Sequence, residues 1–115
     1  MQLWHNPRCS KSRQAKALLD ERGAEYTERR YLDDPPTEAE LDAVLSALGL
    51  EPWDLARMNE PIARDLDLKN KAHDRDAWLA ILAEHPILIE RPILVTGDGR
   101  AALGRPPEAI TPLLD

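Results

Sequence analysis

The sequence predicts an α/β domain: a small mixed sheet built from an N-terminal βαβ unit and a C-terminal ββα unit, with a helical insertion over about 37–85. Three observations lead there. A short apolar run at Met1–His5 is followed by helical spacing that stops at Gly23. The middle of the chain, from Thr37 to His85, carries helical spacing throughout. The run Ile93-Leu94-Val95 is followed by Gly97-Asp98-Gly99, a strong turn signal that predicts a hairpin to Arg100–Leu103.

Met1 to His5 reads as a strand, with Leu3 and Trp4 supplying buried surface. Ser10 or Cys9 then caps a helix to about Arg22, with Ala15, Leu18 and Leu19 at helical spacing. Glu25 to Leu32 reads as a second strand supported by Tyr26 and Tyr31. Its Glu28-Arg29-Arg30 centre lacks clean alternation, which predicts an edge position. Strand, helix and strand of these lengths form a right-handed βαβ unit with parallel strands. Pro35-Pro36 ends that unit. Thr37 and Glu40 form a capping box for a helix with Leu41, Val44, Leu45 and Leu48 on one face and Gly49 beyond it. Short helices are expected from Pro52 to Arg57 and over Ile62–Leu66. A longer one, capped by Asp74, buries Trp78, Ile81 and Leu82, and Trp53 is expected in the core with Trp78. Gly104-Arg105-Pro106-Pro107 opens a last helix carrying Ile110, Leu113 and Leu114, which Pro112 should kink or shorten. The order βαβ, helices, ββα is that of a thioredoxin-like fold, here as one domain over residues 1–115.

Composition narrows the function. The 115 residues suffice for a core without disulfides or a structural metal. One cysteine permits no internal disulfide, which fits a reducing compartment, and no leader of basic then apolar residues is seen, so a cytoplasmic location is expected. No apolar run approaches the roughly 20 residues of a membrane helix. A net charge of −6 argues against nucleic-acid binding. Yet arginines recur beside the loops, and a locally basic pocket in an acidic protein suits a small anion better than a polyanion. His73 and His85 have no neighbours at metal-ligand spacing, so no metal is expected.

The stretch His5-Asn6-Pro7-Arg8-Cys9-Ser10-Lys11-Ser12-Arg13 carries the chemistry. It sets the single thiol at the carboxyl end of the first strand, where open α/β sheets bind ligands, and at the start of a helix. Unpartnered backbone N–H groups and the positive end of the helix dipole favour thiolate over thiol, as do Arg8, Lys11 and Arg13. The same amides and cations suit a small oxyanion. A lone cysteine is commonly a small buried hydrophobe, but charged and hydroxylic neighbours do not suit a core position. Asn6 and Ser12 are candidate hydrogen-bond donors to the pocket and also good cap and turn formers.

His5-Asn6-Pro7-Arg8-Cys9 with Ser12-Arg13, Tyr31-Leu32 before Pro35-Pro36-Thr37, and Arg57 together resemble the glutaredoxin-coupled arsenate reductase family. His85-Pro86-Ile87-Leu88-Ile89-Glu90-Arg91-Pro92-Ile93 and Gly104-Arg105-Pro106-Pro107-Glu108 are similar to its later signatures. Ser10 and Lys11 stand where better-studied members have glycine and threonine, so the chain resembles a short, compact branch. The resemblance implies a thioredoxin-like fold and reduction of arsenate or a similar small oxyanion through a Cys9 adduct. It implies that His5 lies near Cys9 and helps hold the thiolate. Arg57, Arg91 and Arg105, with Asn6 and Ser12, would bind the oxyanion, and a cis bond is implied at Arg91-Pro92. Arginine suits that work because its planar fork meets two oxygens and stays charged.

Ser12 occupies the second cysteine position of a Cys-x-x-Cys motif, so the resolving thiol must come from another molecule. The resemblance names glutathione as co-substrate and glutaredoxin as partner, with no bound cofactor, and a monomer is expected. Two other functions stay open: a monothiol enzyme acting on glutathione mixed disulfides, and a non-catalytic protein-binding regulator. A phosphatase-like arsenate reductase is excluded, because the sixth residue beyond Cys9 is Ala15 rather than arginine.

Overall fold

Four three-residue strands lie in the order β2-β1-β3-β4 in the computed structural model, which describes residues 1–114. They are β1 (Gln2–Trp4), β2 (Thr27–Arg29), β3 (Ile93–Val95) and β4 (Ala101–Leu103). β1 pairs parallel to β2 and antiparallel to β3, and β3 pairs antiparallel to β4. Alternation along the two central strands divides the core. Leu3 faces Leu94 in register and joins Ala15, Leu19 and Ile110 on one side of the sheet. Trp4 faces Ile93 and joins Tyr31, Leu41, Leu45, Leu55 and Trp78 on the other.

The first side is covered by α1 (Ser10–Glu21), which Gly23 ends with a positive φ of 65°. Residues 107–113 cover the same side as a 3-10 helix. An α-helix expected there is not formed. Pro112 has no N–H to give and would press on the carbonyl four residues back, and the Thr111 hydroxyl takes that Glu108 carbonyl at 2.8 Å.

The helical insertion forms the second side. It contains α2 (Glu38–Leu48), α3 (Pro52–Leu55), α4 (Pro61–Asp65) and α5 (Arg75–Glu84). Thr37 and Glu40 make the expected capping box on α2, and Gly49 ends it at a φ of 70°. Trp78 is fully buried, whereas Trp53 is half-buried and stacks on His73 with ring centroids 4.2 Å apart.

β2 is an edge strand as expected, but shorter than the predicted 25–32. Both tyrosines lie outside it. The charged centre has a structural use. The Arg29 guanidinium lies over the Trp4 ring and donates to Glu40 on α2 and to the Pro35 carbonyl, tying the sheet edge to the insertion.

Candidate active site

β1 runs straight into the loop that carries the thiol, and the His5 N–H extends the pairing by donating to the Arg29 carbonyl at 2.8 Å. Cys9 is the N-cap of α1, with extended backbone (φ −93°, ψ 124°) and no hydrogen bond from its side chain to the helix. The first intrahelical bond is Arg13 N–H to the Cys9 carbonyl, so the amides of Ser10, Lys11 and Ser12 have no partner within the helix. The half-buried thiol thus belongs to the residue at the helix end where these backbone donors lack intrahelical partners.

A buried hydroxyl fixes that loop. Ser12 Oγ, fully buried, accepts from the Asn6 N–H at 3.0 Å and lies 2.6 Å from His5 Nδ1. His5 is only 2% exposed, and its Nε2 lies 3.3 Å from Glu28. Burial, opposed by Glu28 and helped by Lys16, Arg30 and Arg13, lowers the pKa of His5 below its ordinary value. A neutral ring with Nε2–H toward Glu28 and Nδ1 accepting from the Ser12 hydroxyl satisfies this network. Both ring nitrogens of His5 are thus engaged by Ser12 and Glu28, and burial favours the neutral form. The Ser12 hydroxyl is used within the loop, where it anchors the turn. Asn6 helps shape the turn, accepting the Arg8 N–H on its Oδ1 at 3.0 Å.

Arg57, Arg91 and Arg105 do come together. Arg57 follows α3 where residues 56 and 89 form an isolated antiparallel bridge. Its N–H donates to the Leu88 carbonyl, and Glu90 N–H donates to the Leu55 carbonyl. Arg91 precedes β3 and Arg105 follows β4, and both precede prolines across cis peptide bonds. The Arg91-Pro92 cis bond is the one the resemblance implies; the bond at Arg105-Pro106 was not anticipated. The Gly104 N–H donates to the Pro92 carbonyl at 2.8 Å and holds these two segments together.

The point of convergence is Glu90, which sequence reasoning assigned no role. Its Oε1 lies 3.1 Å from Arg57 Nη1, 3.7 Å from Arg105 Nη1 and 4.0 Å from Arg91 Nη1. Arg57 also donates from Nε to Glu60 at 3.1 Å, and Arg105 Nη1 donates to the Arg91 carbonyl at 3.2 Å. Arg91 Nε is buried with no hydrogen-bond partner among the described residues. Arg57, Glu90 and Arg105 line a cavity of about 250 Å³ with Ala56, Met58 and Asn59.

Tyr31 relates this cluster to the thiol loop. It is 1% exposed, and burial pushes its phenol above the ordinary range; the charge of Arg57 and a hydrogen bond with Asn6 oppose the shift, and Cys9 and Glu90 add to it. One buried phenol therefore senses both Cys9 and the arginine cluster. Sequence reasoning missed Tyr31 and Glu28 as well as Glu90. For Glu90 the available signal was its place between the buried Ile89 and Arg91-Pro92.

A family model described as the ArsC family matches residues 4–113. The chain is 53% identical over 113 residues to a Streptomyces viridochromogenes protein described as an uncharacterized protein in the glnII region, covering 96% of this chain and 95% of that one. It is 44% identical over 115 residues to an arsenate reductase of Neisseria meningitidis, covering 99% and 97% of the two chains. Among solved structures, an arsenate reductase from Vibrio cholerae superposes with a TM-score of 0.90 at 41% identity, covering 97% of each chain.

Proposed function

The chain belongs to the ArsC family, and from that premise we propose that it reduces arsenate to arsenite, with Cys9 as nucleophile and Arg57, Arg91 and Arg105 as the oxyanion clamp. The observation that carries this reading is the convergence of three guanidiniums, from three separate segments, on one carboxylate oxygen. A carboxylate oxygen marks where an oxyanion oxygen can sit, and the unpartnered Arg91 Nε leaves a buried donor for it.

In the proposed reaction the Cys9 thiolate attacks arsenic and a sulfur–arsenic bond forms as one arsenate oxygen leaves, protonated, as water. The α1 amides and the arginines stabilise the charge on the remaining oxygens. Glutathione thiolate then attacks the Cys9 sulfur. The electron pair of the sulfur–arsenic bond stays on arsenic, which departs as arsenite, and Cys9 is left as a mixed disulfide with glutathione. Glutaredoxin removes that glutathione and restores the thiol. Two external thiols supply the two electrons because the chain has a single cysteine. Glutathione is thus a co-substrate, and no bound cofactor enters the scheme.

The test is NADPH consumption coupled through glutathione reductase, with glutathione, glutaredoxin and arsenate present. Arsenate-dependent turnover is expected in the native protein and should be abolished in Cys9→Ser. Arg57→Ala, Arg91→Ala and Arg105→Ala should each lower kcat/KM at least tenfold. Ready exchange of Cys9 with glutathione disulfide, without arsenate-dependent turnover, would replace this reading by thiol transfer.

A further inference from the structure

The protein contains two kinds of arginine–carboxylate arrangement. Arg75 is held by Asp42 through two bonds, at 2.8 and 3.0 Å, and by Glu51 at 2.7 Å. Three short bonds there join α2, the N-cap of α3 and α5 on the surface. Glu90 is different. Its closest approach to each of the three arginines is made by Oε1, only the one to Arg57 is short, and Arg91 keeps a buried donor without a hydrogen-bond partner among the described residues. A single carboxylate oxygen can satisfy only a fraction of the N–H donors that three forks present. Glu90 is therefore an incomplete ligand at a site shaped for a better one.

Its backbone is pinned. Glu90 N–H bonds to the Leu55 carbonyl and the preceding residue forms the bridge to Ala56, so the side chain can turn away but the residue cannot retreat. Glu60 adds a second carboxylate on Arg57. Three guanidiniums against two carboxylates leave one net positive charge in the cluster, where three bare arginines would offer three. Bare arginines would also hold any tetrahedral oxyanion, reactive or not.

We propose that Glu90 is an internal place-holder that occupies the clamp between turnovers and weakens its hold on any tetrahedral oxyanion, so that only one captured by a bond to Cys9 is retained. Phosphate or sulfate entering the clamp must displace the carboxylate, or bind against its charge, with only electrostatic gain in return. Arsenate meets the same opposition but is then captured by the sulfur–arsenic bond. Glu90 thus acts through the arginines as a positioning residue. This inference rests on the oxyanion reading of the clamp.

The experiment is titration calorimetry of inorganic phosphate, then sulfate, with no thiol or arsenate present. Native protein is compared with Glu90→Gln, Glu90→Asp and Glu60→Gln, with folding checked by circular dichroism. Glu90→Gln is expected to bind phosphate at least tenfold tighter, Glu90→Asp to fall between, and Glu60→Gln to change less because its contact in the cluster is with Arg57 alone. In the arsenate assay the inhibition constant for phosphate should fall by the same factor in Glu90→Gln. A merely structural ion pair predicts the opposite: a less stable protein with unchanged or weaker phosphate binding, which overturns the proposal. Should Glu90→Gln fail to fold, absence of tightening in Glu90→Asp overturns it equally. Tightening of phosphate in Glu90→Gln, with a native protein that never turns over arsenate, supports the place-holder and removes the reductase. Arsenate turnover with no tightening does the reverse.

Discussion

The Ser12 hydroxyl lies 2.6 Å from His5 Nδ1, joining the first turn of α1 to the end of β1 inside a fully buried contact. With the Asn6 N–H as second partner, this oxygen fixes the turn on which Cys9 sits. Ser12→Ala removes the acceptor of a backbone N–H and the partner of a ring nitrogen at once. It should destabilise the protein by about 1–3 kcal/mol, measured by urea unfolding, because buried polar groups would be left unpaired. Arsenate turnover should fall with it, because the turn that carries Cys9 loses its anchor.

His5 makes stability depend on pH in a defined direction. Its folded pKa lies below the unfolded value of 6.5, so the unfolded chain takes up a proton first as pH falls. The contribution is fully present above pH 6.5 and is lost as pH drops through the lowered folded value. His5→Gln should flatten the unfolding free energy across that window, and an NMR titration of the ring should place its midpoint below 6.5.

A second acid-sensitive element lies at the start of α2. The Arg29 guanidinium first, and the Thr37 backbone N–H next, hold the Glu40 carboxyl down to about 2. Its folded pKa is depressed, so its contribution is present above pH 4.5 and disappears as pH falls toward 2. Independently of pH, Thr37→Ala removes the other half of the capping box. It should cost about 1 kcal/mol in thermal or urea unfolding.

Gly104 offers a steric test of the clamp. A Cβ at this position would lie 2.7 Å from Pro92 Cγ and 3.4 Å from Ile110. Gly104→Ala must therefore push apart the segments that carry Arg91 and Arg105. A loss of about 1–3 kcal/mol in stability is expected from such overpacking, together with a larger fall in arsenate kcat/KM than in the rate of Cys9 alkylation by iodoacetamide. Equal falls in both would show a general loosening instead.

These cases mark what a sequence exposes and what it hides. The thiol at a strand-to-helix junction was legible because both signals are local: an apolar run, then helical spacing. The Thr37–Glu40 box was legible for the same reason. β2 was overestimated because Tyr26 and Tyr31 carry strand-favouring side chains, yet Tyr31 is buried in the core beyond the strand's end. Ser12 reads as a polar residue on an exposed turn, and only the fold shows its hydroxyl sealed beneath His5. Glu90 was hidden most deeply. Its partner Arg57 lies 33 positions away, and no periodicity records an ion pair closed by tertiary structure.

The seam at Ala56 and Ile89 gives the active centre a built-in order of completion. The thiol loop and the Arg91 segment hang from the sheet, but Arg57 arrives on the insertion and reaches Glu90 through the two backbone bonds flanking that bridge. A molecule in which this seam has parted keeps a nucleophile while its three-sided recess stands open on one flank. The complete clamp therefore depends on two backbone hydrogen bonds that lie far along the chain from the thiol loop.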